Sequence, residues 1–396
     1  MPTSKMIRGN RDSAAMIAGL GCSVPAGRID RDTGAEFAVY TSNMPEPLAR
    51  RVRALYRRTG IQHRGSVLIQ PGKEGSNGYQ EFYPPSFNAV DRGPTTADRL
   101  RRFEVEAPPL AIQAANLALK DANLAADSIT HLITVTCTGF YSPGIDIDLI
   151  KSLQLLPTTE RIQVGFMGCH ASINALRTAK GLVCENPNRN VLVCCVELCT
   201  LHYQYGCETD HIVSNAIFAD GASATVVIAR GQQPNAQTTS LETQDHCHTI
   251  SDNPTREPVL MHTGSTLIPD SQQAMTWRIG DNGFCMSLSA EVPDLIEQQL
   301  KPNLSAWLKT QRLQIEDIKG WGVHPGGARV LEAVQKSLQL DENDLRFSRT
   351  VLREHGNMSS ATLLFILKQL RDNAVPRPWV MLGFGPGLEI EMALIH

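Results

Sequence analysis

Three apolar runs of strand length, at about 129–136, 162–166 and 190–197, are separated by two helix-length segments, one at 147–155 and one starting at Cys169. Strands that alternate with one-sided helices can hide both sets of apolar side chains only by layering helices over a sheet. The same alternation extends in both directions. A first buried strand is expected at 14–22, and a helix at about 108–124 opening on Pro108-Pro109, residues suited to a first turn. A further strand at 222–229 follows Phe218-Ala219-Asp220-Gly221. After a polar stretch at 230–256, a second α/β series begins near 257. It holds a helix at about 293–308, a strand before His324, a helix from Gly327, a helix at 363–370 and a terminal strand pair around Gly383 and Gly387. The expectation is an α/β fold of two similar halves, residues 1–240 and 241–396.

The remaining composition mostly excludes. Lys plus Arg is 37 against 40 Asp plus Glu, a net charge of −3, which argues against nucleic acid as a partner. Ten cysteines, at 22, 137, 169, 184, 194, 195, 199, 207, 247 and 285, form neither a disulfide framework nor a CxxC pair, as expected of a reducing cytoplasm. His246-Cys247-His248 alternates residues that an extended chain points to opposite faces, so no metal is expected there. Lys5 and Arg8 ahead of 14–22 imitate a secretory signal, but Arg11 and Asp12 abut the run and glycines break it. No run reaches the ~20 apolar residues of a membrane span.

Three turns carry chemistry. In Val164-Gly165-Phe166-Met167-Gly168-Cys169-His170-Ala171, a strand ends and a helix begins around one cysteine. A thiol at a helix N-terminus meets unpaired N–H groups and the positive end of the macrodipole, which lower its pKa below ~8.5. A small buried apolar cysteine is the alternative, and it suits most of the other nine. In Gly320-Trp321-Gly322-Val323-His324-Pro325-Gly326-Gly327, a histidine stands at a strand end before a helix. In Glu354-His355-Gly356-Asn357-Met358-Ser359-Ser360-Ala361, an asparagine stands before another, where it can also serve as an N-cap. Cysteine, histidine and asparagine at three such junctions would supply a nucleophile and two donors for a developing oxyanion.

With these motifs in order, the chain resembles the type III polyketide synthases, the chalcone-synthase-like branch of the thiolase superfamily, over essentially its whole length. Gly383-Phe384-Gly385-Pro386-Gly387 completes the set and brings Phe384 among the site candidates. The resemblance implies a thiolase-like, five-layered αβαβα core, a homodimer, and a triad of Cys169, His324 and Asn357. It also implies the reaction. A starter acyl group passes from CoA to the cysteine, malonyl-CoA loses CO₂, and the resulting enolate attacks the acyl group in repeated rounds before cyclisation. The substrates are CoA thioesters, acyl-CoA and malonyl-CoA, and no further cofactor is implied.

The resemblance also sorts the surroundings. Phe218 matches an aromatic gatekeeper between CoA tunnel and cavity. In the helix-like stretch Glu46–Arg58, Arg51 and Arg58 match two family lysines at the tunnel mouth; a third family cation falls on Ala54, which makes Arg53 a substitute. Plant members carry threonine at Cys137, a second phenylalanine at Met286, a pocket threonine at His202 and a cavity glycine at Trp277. Cys137 and Met286 look like bacterial members and favour an aliphatic or malonyl-derived starter over a coumaroyl one. Three other readings stay open: an initiating ketoacyl synthase using an acyl-carrier protein, a catalytically idle acyl-binding relative, and a papain-like hydrolase. A thiolase proper carries a second cysteine late in the chain, whereas the last one here is Cys285.

Overall fold

The computed structural model describes residues 14–70, 80–88, 90–231 and 257–396. The signal-like residues 1–13, His246-Cys247-His248 and the expected boundary at 240/241 lie outside these residues. In the first half run β1 (Ala15–Ser23), β2 (Arg28–Asp30), α1 (Arg31–Thr41), α2 (Glu46–Arg58), β3 (His63–Gly65) and α3 (Thr96–Ala122). They are followed by β4 (His131–Thr136), α4 (Ile145–Leu153), β5 (Glu160–Gly165), α5 (Ala171–Glu185), β6 (Val191–Leu198), α6 (Thr209–Ile217) and β7 (Asp220–Ala229). The second half opens with β8 (Val259–Leu267), β9 (Met275–Gly280), β10 (Gly283–Leu288), α7 (Val292–Thr310) and β11 (Gly320–Val323). It closes with α8 (Ala328–Leu338), α9 (Arg346–His355), α10 (Thr362–Asp372), β12 (Trp379–Gly385) and β13 (Glu389–Ile395).

The first half's sheet runs β5-β4-β6-β7-β1 and the second's β11-β12-β13-β8. They join edge to edge where Ala15 pairs with Leu260 and Met16 with Val259, making one nine-stranded sheet. Side chains on the two faces then build the layers. Ile173 and Leu176 of α5 and Leu364 and Leu367 of α10 share one core with Val193 and Val227 of one sheet and Met381 and Ile395 of the other. Helices α3 and α4 cover the outer face of the first sheet, and α7 and α8 that of the second. The order is αβαβα, as the resemblance implied, with α5 and α10 in the middle layer. Each large apolar side chain buried there contributes ~1.5–3 kcal/mol.

One helix start differs from expectation. Helix α3 begins at Thr96, and Pro108 and Pro109 lie inside it. Thr95 and Asp98 form a reciprocal capping box, with Thr95 Oγ1 accepting from Asp98 N at 3.2 Å and Thr95 N donating to Asp98 Oδ2 at 3.0 Å. The buried stripe Phe103, Ala107, Ala111, Ala114, Ala118 runs unbroken past the prolines, so packing carries the helix through a break that costs ~3 kcal/mol in isolation. That packing is close: a Cβ on Gly19 or Gly21 of β1 would lie 2.3 or 2.1 Å from carbonyl oxygens of α3.

Candidate active site

Cys169 lies between β5 and α5, so its position is set by the middle layer. Gly168 before it has φ +89°, and a side chain there would strike Pro386 Cδ at 2.4 Å. The turn is therefore pinned against the loop after β12. Asn357 arrives from the other half. Its N–H donates to Ile217 O and its C=O accepts from Ala219 N, both at 2.9 Å, which bridges the residue to Phe218. Asn357 Oδ1 accepts from Ser359 N at 2.8 Å, and its Nδ2 donates to Gly326 O at 3.5 Å, two residues beyond His324. The side chains of Asn357 and Ser359 lie beside the Cys169 thiol and draw its pKa down. Ser359, with φ +47°, is a non-glycine residue in the left-handed region, a strain of the kind kept at working sites.

His324 closes β11, where its N–H donates to Leu382 O at 2.8 Å and its C=O accepts from Gly326 N at 3.0 Å. The ring is 1% exposed, and neither Nδ1 nor Nε2 finds a hydrogen-bond partner among the described residues. Two unsatisfied buried nitrogens are costly, at about 1–3 kcal/mol each. Burial pushes the imidazole down to about 3, with His170, the residue after the cysteine, adding to the shift. The thiol behaves contrary to the helix-terminus expectation. Burial pushes Cys169 up to about 12, the Ser359 and Asn357 side chains pull it partly back, and the Glu197 charge raises it further. Burial of both groups therefore favours the neutral thiol and the neutral imidazole.

The cysteine faces a small chamber of about 20 Å³, whose lining includes Cys137, Phe218, Trp277, Met286, Ser359 and Pro386. Behind it lies a second chamber of about 70 Å³, which Phe37, Leu68, Tyr83, His202 and Phe284 help to line. Cys199, Phe218, Trp277 and Met286 border both, so they form the wall between them. Trp277 and Met286 are direct cross-strand partners on β9 and β10, a hairpin forming its own two-stranded sheet. Trp277 Nε1 donates to Cys137 O at 2.8 Å. His202 is a fixed wall: its ring stacks on Phe284 at 4.1 Å, Nε2 donates to Thr138 O at 2.7 Å, and Nδ1 accepts from Phe284 N at 3.0 Å.

Two candidates fall elsewhere. Phe384 is buried in the core under α7 and α8, and Pro386 is the residue of that loop that reaches the cysteine chamber. Successive residues of β12 face opposite sides, and the side that Phe384 takes points to the outer layer. Arg53 turns from the outer surface of α2 toward α1, donating to Glu36 Oε1 at 2.6 Å and Glu46 Oε1 at 3.3 Å. Its charge is already spent. Arg51 and Arg58 stay exposed on α2.

Other groups around the cysteine were not singled out from the sequence. Glu197 is fully buried on β6 and accepts from Cys137 N at 3.0 Å, Thr138 Oγ1 at 2.7 Å and Ser360 Oγ; burial holds its carboxyl above the ordinary range. A glutamate inside an apolar strand was the available signal. His170 Nδ1 lies 2.9 Å from Asn174 Oδ1, Asn174 donates to Glu391, and Arg177 pairs with the same carboxylate. His170, Glu389 and Glu391 have ligand-type atoms within 4.8 Å of one another, but Arg177 and Asn174 already engage Glu391 and Ser265 engages Glu389. The cluster reads as an internal ion network rather than a metal seat.

An αβαβα core with a buried cysteine at the head of its central helix defines a thiolase-like condensing enzyme. Residues 4–231 match the family model "Chalcone and stilbene synthases, N-terminal domain", and 259–396 its C-terminal counterpart. The alpha-pyrone synthesis polyketide synthase-like Pks18 of Mycobacterium tuberculosis and of Mycobacterium bovis is 31% identical over 310 residues, 77% of this chain and 75% of that protein. Among solved structures, PKS-I of the brown alga Ectocarpus siliculosus superposes with a TM-score of 0.84 at 27% identity, covering 97% of this chain and 98% of that one. The fungal type III polyketide synthase ORAS gives 0.79 at 26%, covering 96% and 99%. The chain belongs to the chalcone and stilbene synthase family and is a type III polyketide synthase, an acyltransferase that condenses malonyl-CoA units iteratively. Members of this family use acyl-CoA and malonyl-CoA and are generally dimeric. No helix among the described residues is long and apolar enough to cross a membrane.

Proposed function

We propose that Cys169 carries the growing acyl chain, that His324 and Asn357 stabilise the enolate born of malonyl decarboxylation, and that the product is a pyrone-type polyketide built on an aliphatic starter. The single observation that carries the oxyanion role is the buried His324 ring with both nitrogens unpartnered among the described residues, on the turn whose Gly326 O accepts from Asn357 Nδ2. A thioester enolate oxygen accepts what such a ring and the Asn357 amide can donate, and it forms only as CO₂ departs. Phe218 stands on the wall of the cysteine chamber, where its apolar face helps desolvate the malonyl carboxylate. Arg51 and Arg58 meet CoA phosphates at the mouth, without Arg53. Pks18 is named for alpha-pyrone synthesis, which supports the same ring closure here. Trp277, His202 and Phe284 line the rear chamber, about 70 Å³, and this confined space supports an aliphatic or malonyl-derived starter. This reading invokes no cofactor beyond the CoA substrates. The enzyme works as a homodimer in the cytoplasm, with the nucleophile in residues 1–240 and both donors in 241–396.

Incubation of the pure protein with labelled malonyl-CoA and acyl-CoA starters from acetyl to long-chain tests the assignment. Product masses of starter plus two-carbon units, absent with Cys169→Ala, are expected. Cys169→Gln should still release labelled CO₂. Normal product from Cys169→Ala would end the nucleophile assignment, and dependence on malonyl-carrier protein would favour an initiating ketoacyl synthase.

A further inference from the structure

His170 follows the nucleophile directly, stands at the N-cap of α5 and has a ring that is 1% exposed. Asn174 lies one turn further along the same helical face. Its Nδ2 donates to Glu391 Oε1 at 2.8 Å, so its Oδ1 is the acceptor that faces the ring. The proton of the 2.9 Å contact between them therefore sits on His170 Nδ1. Glu391 is fixed in turn. Arg177 donates to it through Nη1 at 3.1 Å and through Nη2, and its Nε donates to Thr263 Oγ1 at 3.0 Å. On the other edge of the ring, Nε2 lies 3.4 Å from Glu389 Oε2, without a hydrogen-bond partner among the described residues. Ser265 Oγ donates to the second oxygen of Glu389 at 2.5 Å. Residues 389 and 391 alternate along β13, so two carboxylates on one face of that strand hold a ring that comes from α5.

The ring also fills a slot in β12. A Cβ on Gly385 would lie 2.2 Å from His170 Cδ2 and 2.4 Å from Nε2, and one on Gly383 would lie 2.7 Å from His170 Cβ. Glycine at both positions lets the head of α5 approach the backbone of the strand. Leu382, the neighbour of Gly383 on β12, accepts from His324 N at 2.8 Å. One short stretch of strand thus sets the backbone of His324 and seats the residue after Cys169. The two histidines also sense each other, since the charge of His170 helps push the His324 imidazole down.

We propose that His170 is a positioning residue that keeps the Cys169 turn in register with the strand end carrying His324, its ring gripped by the Asn174–Glu391 link on one edge and by Glu389 on the other. This rests on reading Cys169 as the acyl carrier and His324 as the enolate donor. The test is His170→Phe, which fills the slot and removes both polar attachments. A displacement of the sulfur by about 1 Å costs on the order of 10²-fold in rate, so kcat for polyketide should fall by up to that factor while the KM for malonyl-CoA stays as it was. Placed in the Cys169→Gln protein, where CO₂ release needs no sulfur, the same change should leave decarboxylation as fast as before; a general loosening of the site would slow both. Asn174→Leu cuts the link one turn along α5 and should lower kcat in the same way. Combined with His170→Phe it should add nothing, because the two side chains form one attachment. Glu389→Gln, which keeps a polar partner for Nε2, should retain the rate that Glu389→Leu loses. Thermal unfolding checks each variant, and if His170→Phe does not fold, the Asn174 and Glu389 variants carry the comparison. Folded variants with wild-type kcat overturn the proposal, as does an equal slowing of CO₂ release. Absence of CO₂ from Cys169→Gln itself would instead sink the enolate reading, and the kcat comparison would still judge His170.

Discussion

Replacing Trp277 by alanine should merge the two chambers and lengthen the starters the enzyme accepts. The indole borders both spaces, and its removal leaves Cys199, Phe218 and Met286 as an incomplete wall. The structural cost is bounded. Trp277 loses its bond to Cys137 O, worth about 1 kcal/mol, and edge contacts with His202 and Phe284 at centroid distances of 5.7 and 5.9 Å. The total falls near the low end of aromatic truncations, about 3 kcal/mol, because the ring already meets open space on two sides. The gain lies in burying starter carbons against the walls of the rear chamber. At about 0.8 kcal/mol per methylene, two added carbons change relative kcat/KM by more than tenfold. Hexanoyl- and decanoyl-CoA should be offered together with labelled malonyl-CoA, and the ratio of product masses read for both proteins, with thermal unfolding as the check on folding. A folded Trp277→Ala enzyme with the wild-type product ratio would refute the partition.

His324→Ala should slow malonyl-CoA decarboxylation about 10²–10³-fold while leaving Tm unchanged or higher, because it removes two buried nitrogens that bond to nothing in the folded chain; full-rate CO₂ release would remove the donor role. His202 gives a pH signature. Its folded pKa is depressed to about 3 from an ordinary 6.5, so its contribution to stability is fully present above pH 6.5 and is lost as pH falls toward 3. Denaturant titrations at pH 7 and 5 should show His202→Gln losing less stability on acidification than the wild type, by up to about 1.4 kcal/mol per pH unit; identical losses would contradict a buried neutral ring.

The turns around residues 169, 324 and 357 were legible because glycines, a helix start and a chemically able side chain coincide in a few consecutive positions. Five-layer packing followed from the strand and helix alternation once a family resemblance was joined to it. What escaped was set by distant contacts. The proline pair suggested a helix start because local rules treat proline as a first-turn residue, whereas a stripe of alanines against β1 and a cap at Thr95 decided otherwise. Arg53 looked like its neighbours on α2 until Glu36 of α1 came alongside. Phe384 and Pro386 sit two residues apart in one motif, and only the pleat of β12 shows which of them meets the cysteine chamber. Ser359 could be read as a continuation of the asparagine turn, but its place beside the thiol depends on the packing of α5 against α10.

The wall residues at 277 and 286 face each other on a hairpin that shares no strand with the nine-stranded sheet, while Cys169 and Asn357 stand in the turns that lead into the two helices of the middle layer. Pocket shape and bond-making are thus mounted on separate parts of the frame. A lineage could retailor its starter by exchanging one opposed pair of side chains without disturbing the sulfur, and relatives with unlike products should differ first in this ribbon.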